Sequence, residues 1–107
     1  MRHAEIEEYC LSLPAVTLVV QWGESRVYKV GGKIFAIIGV ARSPLQLTLK
    51  CDPWHGEALC AEHAAIAPGY HMNKRHWITV TLDGGLPAAL IEELVEDSFD
   101  LVAPRRR

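Results

Sequence analysis

The segment RVYKVGGKIFAIIGV, residues 26–40, decides the fold. Two runs rich in Val, Ile and aromatic residues, which favour extended chain, are separated only by Gly31 and Gly32. Glycine reaches positive φ without a Cβ clash, and a two-residue reversal needs that conformation. Residues 26–30 and 33–40 are therefore predicted to pair as an antiparallel hairpin.

Working toward the C-terminus, residues 41–44 (ARSP) form a turn, and Leu45, Leu47 and Leu49 then alternate with Gln46, Thr48 and Lys50. A period of two is the pattern of a half-buried strand with one polar face. Asp52-Pro53 starts a short helix ending near His63: the carboxylate accepts from open backbone amides, and proline's fixed φ suits the first helical position. Ala67-Pro68-Gly69 is expected to be loop. Residues 76–82 alternate again, with Ile78, Val80 and Leu82 on one face, so Trp77, Thr79 and Thr81 must point the other way. After the turn at Asp83-Gly84-Gly85, Pro87 is expected at the first position of a last helix, whose Leu90, Ile91, Leu94, Val95 and Leu101 form a wide apolar stripe.

Toward the N-terminus, residues 15–22 carry enough β-branched side chains for a strand. Ile6, Tyr9, Cys10 and Leu13 recur at helical spacing over residues 3–12, with Glu5, Glu7 and Glu8 facing away. Hairpins in place of regular strand-helix-strand crossovers predict an α+β domain with a mainly antiparallel sheet packed against helices. At 107 residues and half hydrophobic, the chain is expected to be one domain with one core. No apolar run approaches the roughly 20 residues that span a bilayer, and residues 1–9 are acidic and polar, unlike a secretory signal. A cytoplasmic, membrane-free monomer is expected.

Cys10, Cys51 and Cys60 are odd in number and form no CxxC pair, which argues against a disulfide framework and for buried reduced thiols. Cys51, Cys60, His71 and His76 have the right types for zinc, but their intervals match no finger spacing. Gly31-Gly32 and Gly84-Gly85 lack the contexts of phosphate-cradling loops. Nearly all carboxylates are expected on solvent-facing positions of the terminal helices, with Asp52 and Asp83 as cap and turn residues. Catalysis therefore has no evident foothold, and no cofactor or metal is expected.

Net charge is −2, yet it is unevenly placed. Between residues 26 and 82 seven basic residues (Arg26, Lys29, Lys33, Arg42, Lys50, Lys74, Arg75) face three acidic ones (Asp52, Glu57, Glu62). A positive middle between acidic ends can present one face to nucleic acid despite a negative total. Arg26, Lys29, Lys33, Arg42 and Lys50 are candidates for a basic stripe; exposed strand lysines also serve to blunt sheet edges. The densest polar and aromatic stretch is GYHMNKRHW, residues 69–77. There Lys74 and Arg75 can neutralise phosphates, Asn73 and His71 can hydrogen-bond phosphate or base edges, and Tyr70 or Trp77 can stack.

Four stretches together, KVGGKIFAII (29–38), LKCDP (49–53), PGYHMNKRHWITVTLDG (68–84) and LP (86–87) followed by a helix ending SFDLV (98–102), resemble the MmcQ/YjbR family of small bacterial proteins. The likeness covers nearly the whole chain and is loosest over residues 16–22. It implies a single α+β domain of the kind described as CyaY-like or double-wing, and it implies DNA binding. The motif residues that match by position are His71, Asn73, Lys74, His76 and Trp77, with Lys33 at the hairpin and Lys50 before the helix start.

The expectation is a non-enzymatic DNA-binding module that meets duplex DNA through the hairpin and residues 70–77. Lys33, Lys50, Lys74 and Arg75 would contact phosphates, Asn73 or His76 would reach base edges, and Trp77 would pack beneath or touch sugar and base. The alternative is a protein-interaction or small-ligand module using the same segment. A third reading is proton transfer by His71, His76 and Lys74 on a phosphorylated substrate.

Overall fold

The hairpin forms as the glycine pair requires. Gly31 and Gly32 take φ of 59° and 78°, both in the left-handed region, the pair of positive values that a tight reversal between right-twisted strands demands. They join β2 (Ser25–Val30) to β3 (Lys33–Gly39). The computed structural model describes residues 2–21, 25–39, 44–69, 73, 75–82 and 85–104.

Around this hairpin lie β1 (Thr17–Gln21), β4 (Leu45–Lys50), β5 (Ile66–Pro68) and β6 (Trp77–Leu82). All pairings are antiparallel, in the order β1-β2-β3-β4-β6-β5. The helices are α1 (His3–Ser12), α2 (Pro53–Glu62) and α3 (Ala88–Val102). The fold is thus α+β, with three helices on a six-stranded antiparallel sheet, as the hairpin pattern predicts. No helix among the described residues is long and apolar enough to cross a membrane.

The helices share one face of the sheet. α3 lies over β3 and β4, α2 over β5 and β6, and α1 beside α3 above β2. Their common core takes Tyr28, Ala36, Ile38, Leu47, Leu49, Ile78 and Val80 from the strands and Ile6, Cys10, Leu59, Ile91, Leu94 and Val95 from the helices. Helical spacing predicts all the acids of α1 in solvent, but Glu7 is half-buried. Glu7 Oε2 accepts from Arg26 Nη1 and from the Tyr28 hydroxyl, each at 3.0 Å, and so pins α1 to β2.

Three other expectations need correction. Residues 66–68 are a short edge strand and not loop; three residues are too few to show a period, and proline is tolerated on an edge. Pro87 is the N-cap of α3, one position earlier than expected. Leu101 is 52% exposed, and Ser98 occupies the inward position that the apolar stripe leaves to a polar side chain.

Ser98 has a structural reason to be there. The register of β3 shifts at Tyr28/Lys29: Tyr28 faces Ala36 while Lys29 faces Ile34, so Phe35 is the extra residue of a bulge. The bulge turns the Phe35 ring into the helical layer, edge-on to Phe99 with centroids 5.5 Å apart. The β3–β4 ladder ends at Ala36↔Leu49. One step further, the Ser98 hydroxyl donates to the Phe35 carbonyl and accepts from the Lys50 N–H at 2.9 Å.

Where α2 begins, Asp52 accepts from the His55 N–H, as its position before proline predicts. Between this end of α2 and the last turns of α3 lies a 290 Å³ cavity lined by Cys51, Asp52, His55, Asp97, Asp100 and Leu101. Partial burial, helped by Glu93, holds the Asp97 carboxyl above its ordinary range. The folded state therefore binds this proton more tightly than the unfolded chain does. By linkage, stability is lost as pH rises through that raised range. Asp97→Asn is expected to raise the melting temperature at pH 7, with the gain shrinking as pH falls into the ordinary carboxylate range. Equal melting temperatures at pH 7 would remove Asp97 as a source of pH dependence.

Candidate functional site

Because side chains alternate across a strand, residues opposite the core set project to the second face of the sheet. These are Thr17 and Val19 on β1, Val27 and Lys29 on β2, Ile34 and Ile37 on β3, Gln46, Thr48 and Lys50 on β4, and Trp77, Thr79 and Thr81 on β6. Among the described residues, the buried side chains of the helices pack with the core set on the opposite face. Val27 and Thr79 are buried even so, while most of the others are half-buried.

Trp77 points away from the helical layer, as the alternation of Ile78, Val80 and Leu82 predicts. It pairs across the ladder with Lys50, whose Nζ lies 5.9 Å from the centre of the indole ring. A cation over an aromatic face at this range contributes about 0.5–1 kcal/mol in an exposed setting, and it holds both side chains at one end of the sheet. Immediately before β6, a turn is closed by Asn73: its Oδ1 accepts from the Arg75 N–H at 2.9 Å, and its carbonyl accepts from the His76 N–H at 3.0 Å. The His76 carbonyl accepts in turn from the Cys51 N–H at 2.8 Å. Arg75 and His76 are exposed on this braced turn.

Of the residues expected to act together, the fold therefore gathers Lys50, Asn73, Arg75, His76 and Trp77. Asn73 uses its side-chain oxygen to build the turn, which leaves its amide group as the donor for any base edge. His71 and Lys74, like Tyr70 and Arg42, lie outside the described residues. Lys33 does not join the group. The Phe35 bulge brings Lys33 opposite Val30, a core residue, so Lys33 projects from the helical side at the hairpin tip. The same shift leaves Lys29 on the Lys50 face. Arg26 is also on the helical side, bound to Glu7. The expected basic stripe is thus divided between the two faces of the sheet.

The sequence reading missed Trp54, in the first turn of α2 and 81% exposed. Its signal was a large aromatic one residue after the proline of a helix start, off the inward positions taken by Gly56 and Leu59. Trp54, Gly56 and Cys60 of α2 line a 270 Å³ cleft with Pro68, Arg75, Trp77 and Ile78.

All three thiols are held above their ordinary range. Burial pushes Cys10 up to about 12 and Cys51 up to about 11, and it raises Cys60 as well. Among the described residues no group of three or more His, Cys, Asp or Glu side chains is placed to hold a metal ion.

A one-sided antiparallel sheet, with a tryptophan and lysines on its helix-free face, defines a small α+β domain with a polar and aromatic platform. The chain belongs to the YjbR family, whose model matches residues 11–101. It is 39% identical to the uncharacterized protein YbdF of Escherichia coli O157:H7 over 101 residues, covering 94% of this chain and 83% of that protein. It is 34% identical to the uncharacterized protein YjbR of Escherichia coli K12, covering 92% and 85% respectively. Protein DR2400 of Deinococcus radiodurans, a DUF419 domain, superposes with a TM-score of 0.88 at 42% identity, covering 92% of this chain and 76% of that one.

Proposed function

We propose that the protein is a non-enzymatic, cytoplasmic DNA-binding module that engages nucleic acid through the helix-free face of its sheet and the turn at residues 73–77. The observation that carries this reading is the sorting of charge by layer. Every described Asp and Glu lies on a helix or, as Asp52, at a helix cap, and no described strand residue is acidic. The helix-free face offers Lys29 and Lys50 for phosphates, the hydroxyls of Thr17, Thr48 and Thr81 for sugar and phosphate oxygens, and the Trp77 ring for stacking, with Arg75 beside it. The acidic helical layer would turn away from a polyanion and so fix the docking orientation. Burial of Cys10 and Cys51 and the half-buried setting of Cys60, all raising the thiols above their ordinary range, favour binding over nucleophilic chemistry.

The test is titration of fluorescent duplex and single-stranded DNA at several salt concentrations, read by anisotropy and tryptophan emission. Lys50→Ala with Arg75→Ala is expected to weaken binding about tenfold at low salt and to reduce the slope of log K against log salt by about 1.8 on duplex, two phosphate contacts at roughly 0.9 each. Unchanged affinity and slope would remove this end of the sheet from the site, and no binding even at low salt would overturn the reading.

A further inference from the structure

We infer that the cleft between α2 and β6 receives one unpaired nucleotide, its base on the indole of Trp54 and its phosphate on Arg75. This deepens the nucleic-acid reading and rests on it for the strand that would deliver the nucleotide. Trp54 contributes little to the fold, since it is 81% exposed while α2 buries only Gly56 and Leu59. An indole left in water at the rim of a cleft that also holds a guanidinium is placed to stack on a planar ring.

The floor is shaped for close approach. Gly56 is buried against Ile78, where an added Cβ would meet Cγ2 at 3.5 Å in ordinary contact, so α2 lies close on β6 while Trp54 stands clear at the rim. Lys50 touches Trp77 but does not line the cleft, so it braces the indole from outside. Arg75 does line it, held at the mouth by the Asn73 turn. At 270 Å³ the space falls just below the roughly 300 Å³ at which clefts for drug-sized ligands begin, a size for one small ring system with its attached anion. A base still paired and stacked in a duplex offers no free ring face to the Trp54 indole.

The charges also select. Among the described residues that line the cleft, Arg75 is the cation and suits a phosphate, whereas Glu57, on the α2 wall, is the carboxylate. A carboxylate accepts from the exocyclic amino group of cytosine, at the ring position where thymine presents a carbonyl oxygen that repels it. The ligand is therefore a nucleotide whose base carries an amino donor, either within a single strand or free.

The experiment compares single-stranded (dC)8 and (dT)8, a duplex of mixed sequence, and free dCMP. The proteins are the unsubstituted chain, Trp54→Ala, Trp54→Phe and Glu57→Gln, with melting temperatures confirming that each folds. The expected result is several-fold preference for (dC)8 over both (dT)8 and duplex, with quenching of tryptophan emission. Trp54→Ala should lose about tenfold on (dC)8 and nothing on duplex, Trp54→Phe should restore most of the loss, and Glu57→Gln should reduce the preference over (dT)8. Binding of dCMP with Trp54-dependent quenching supports the cleft with a free nucleotide as ligand, and does so even if no DNA binds and the DNA reading falls. Binding of (dC)8 without dCMP assigns the nucleotide to a strand. Duplex bound as well as (dC)8, with Trp54→Ala changing neither, would overturn the cleft inference and leave the DNA reading standing. No binding of either DNA or dCMP would overturn both.

Discussion

Ser98→Ala is expected to cost about 3 kcal/mol of folding stability and to lower the melting temperature by about 12 °C, at about 4 °C per kcal/mol for a domain of this size. The hydroxyl is fully buried and serves two backbone groups at once, the Phe35 carbonyl and the Lys50 N–H. Those groups sit where the β3–β4 ladder has just stopped, because the bulge at Phe35 takes that residue out of register. Alanine fits the space but leaves a donor and an acceptor stripped of this hydroxyl inside the core, and each orphaned group costs about 1–3 kcal/mol. Thermal melts and amide exchange check the result together: the Lys50 amide should lose most of its protection, while amides in the middle of β4 lose only what the global destabilisation dictates. A melting temperature within 2 °C of the unsubstituted protein would mean that the stitch between α3 and the sheet is not a determinant of stability.

The Ser98 contact also marks the limit of what periodicity can report. The alternation in residues 45–50 and 77–82 assigned every side chain to its face correctly, and Trp77 was thereby placed outside the helical layer. Lys33 could not be placed in the same way. Parity counted along β3 fails at the bulge, because one extra residue exchanges the faces of everything beyond it. The carbonyl of the bulged residue is met by a contact 63 residues away, the Ser98 hydroxyl. Ser98 falls on the inward stripe of α3, so a polar residue among Ile91, Leu94 and Val95 was a legible anomaly, although its partners were not. Trp54 was invisible for a different reason. A helix start reads from Asp52 and Pro53, but the value of an exposed aromatic there depends on β6 passing beneath α2, and nothing within residues 53–62 encodes that. β5 was lost to its length alone.

Gly69→Ala is expected to disable the candidate site more thoroughly than removal of any one side chain that lines it. Gly69 follows β5 directly and donates its N–H to the Trp77 carbonyl at 2.7 Å. A Cβ built on Gly69 would stand 2.6 Å from Trp77 Cβ and 3.1 Å from both its carbonyl carbon and oxygen. The obstruction is the backbone and Cβ of a paired strand, not the tip of a flexible side chain, so no change of rotamer relieves it. Either the end of β5 lifts from β6 and the 2.7 Å hydrogen bond is lost, or Trp77 is pushed along the sheet and away from Lys50. Overpacking of this kind costs about 1–3 kcal/mol. Because β5 is a three-residue edge with a proline at its end, the cheaper response is for β5 to peel back. Pro68 and Trp77 would then separate, opening the 270 Å³ cleft that both line. The expected outcome is a melting temperature lower by about 8 °C, a changed tryptophan emission, and loss of the Trp54-dependent component of nucleic-acid binding. The salt-dependent component carried by Lys29 and Lys50, on strands that Gly69 does not touch, should survive. Ser98→Ala at matched stability supplies the control, since it weakens the fold from the opposite side of the sheet. If Gly69→Ala binds single-stranded DNA no more weakly than Ser98→Ala does, the Gly69–Trp77 contact does not shape the site, and Trp77 must be held by its pairing with Lys50 alone.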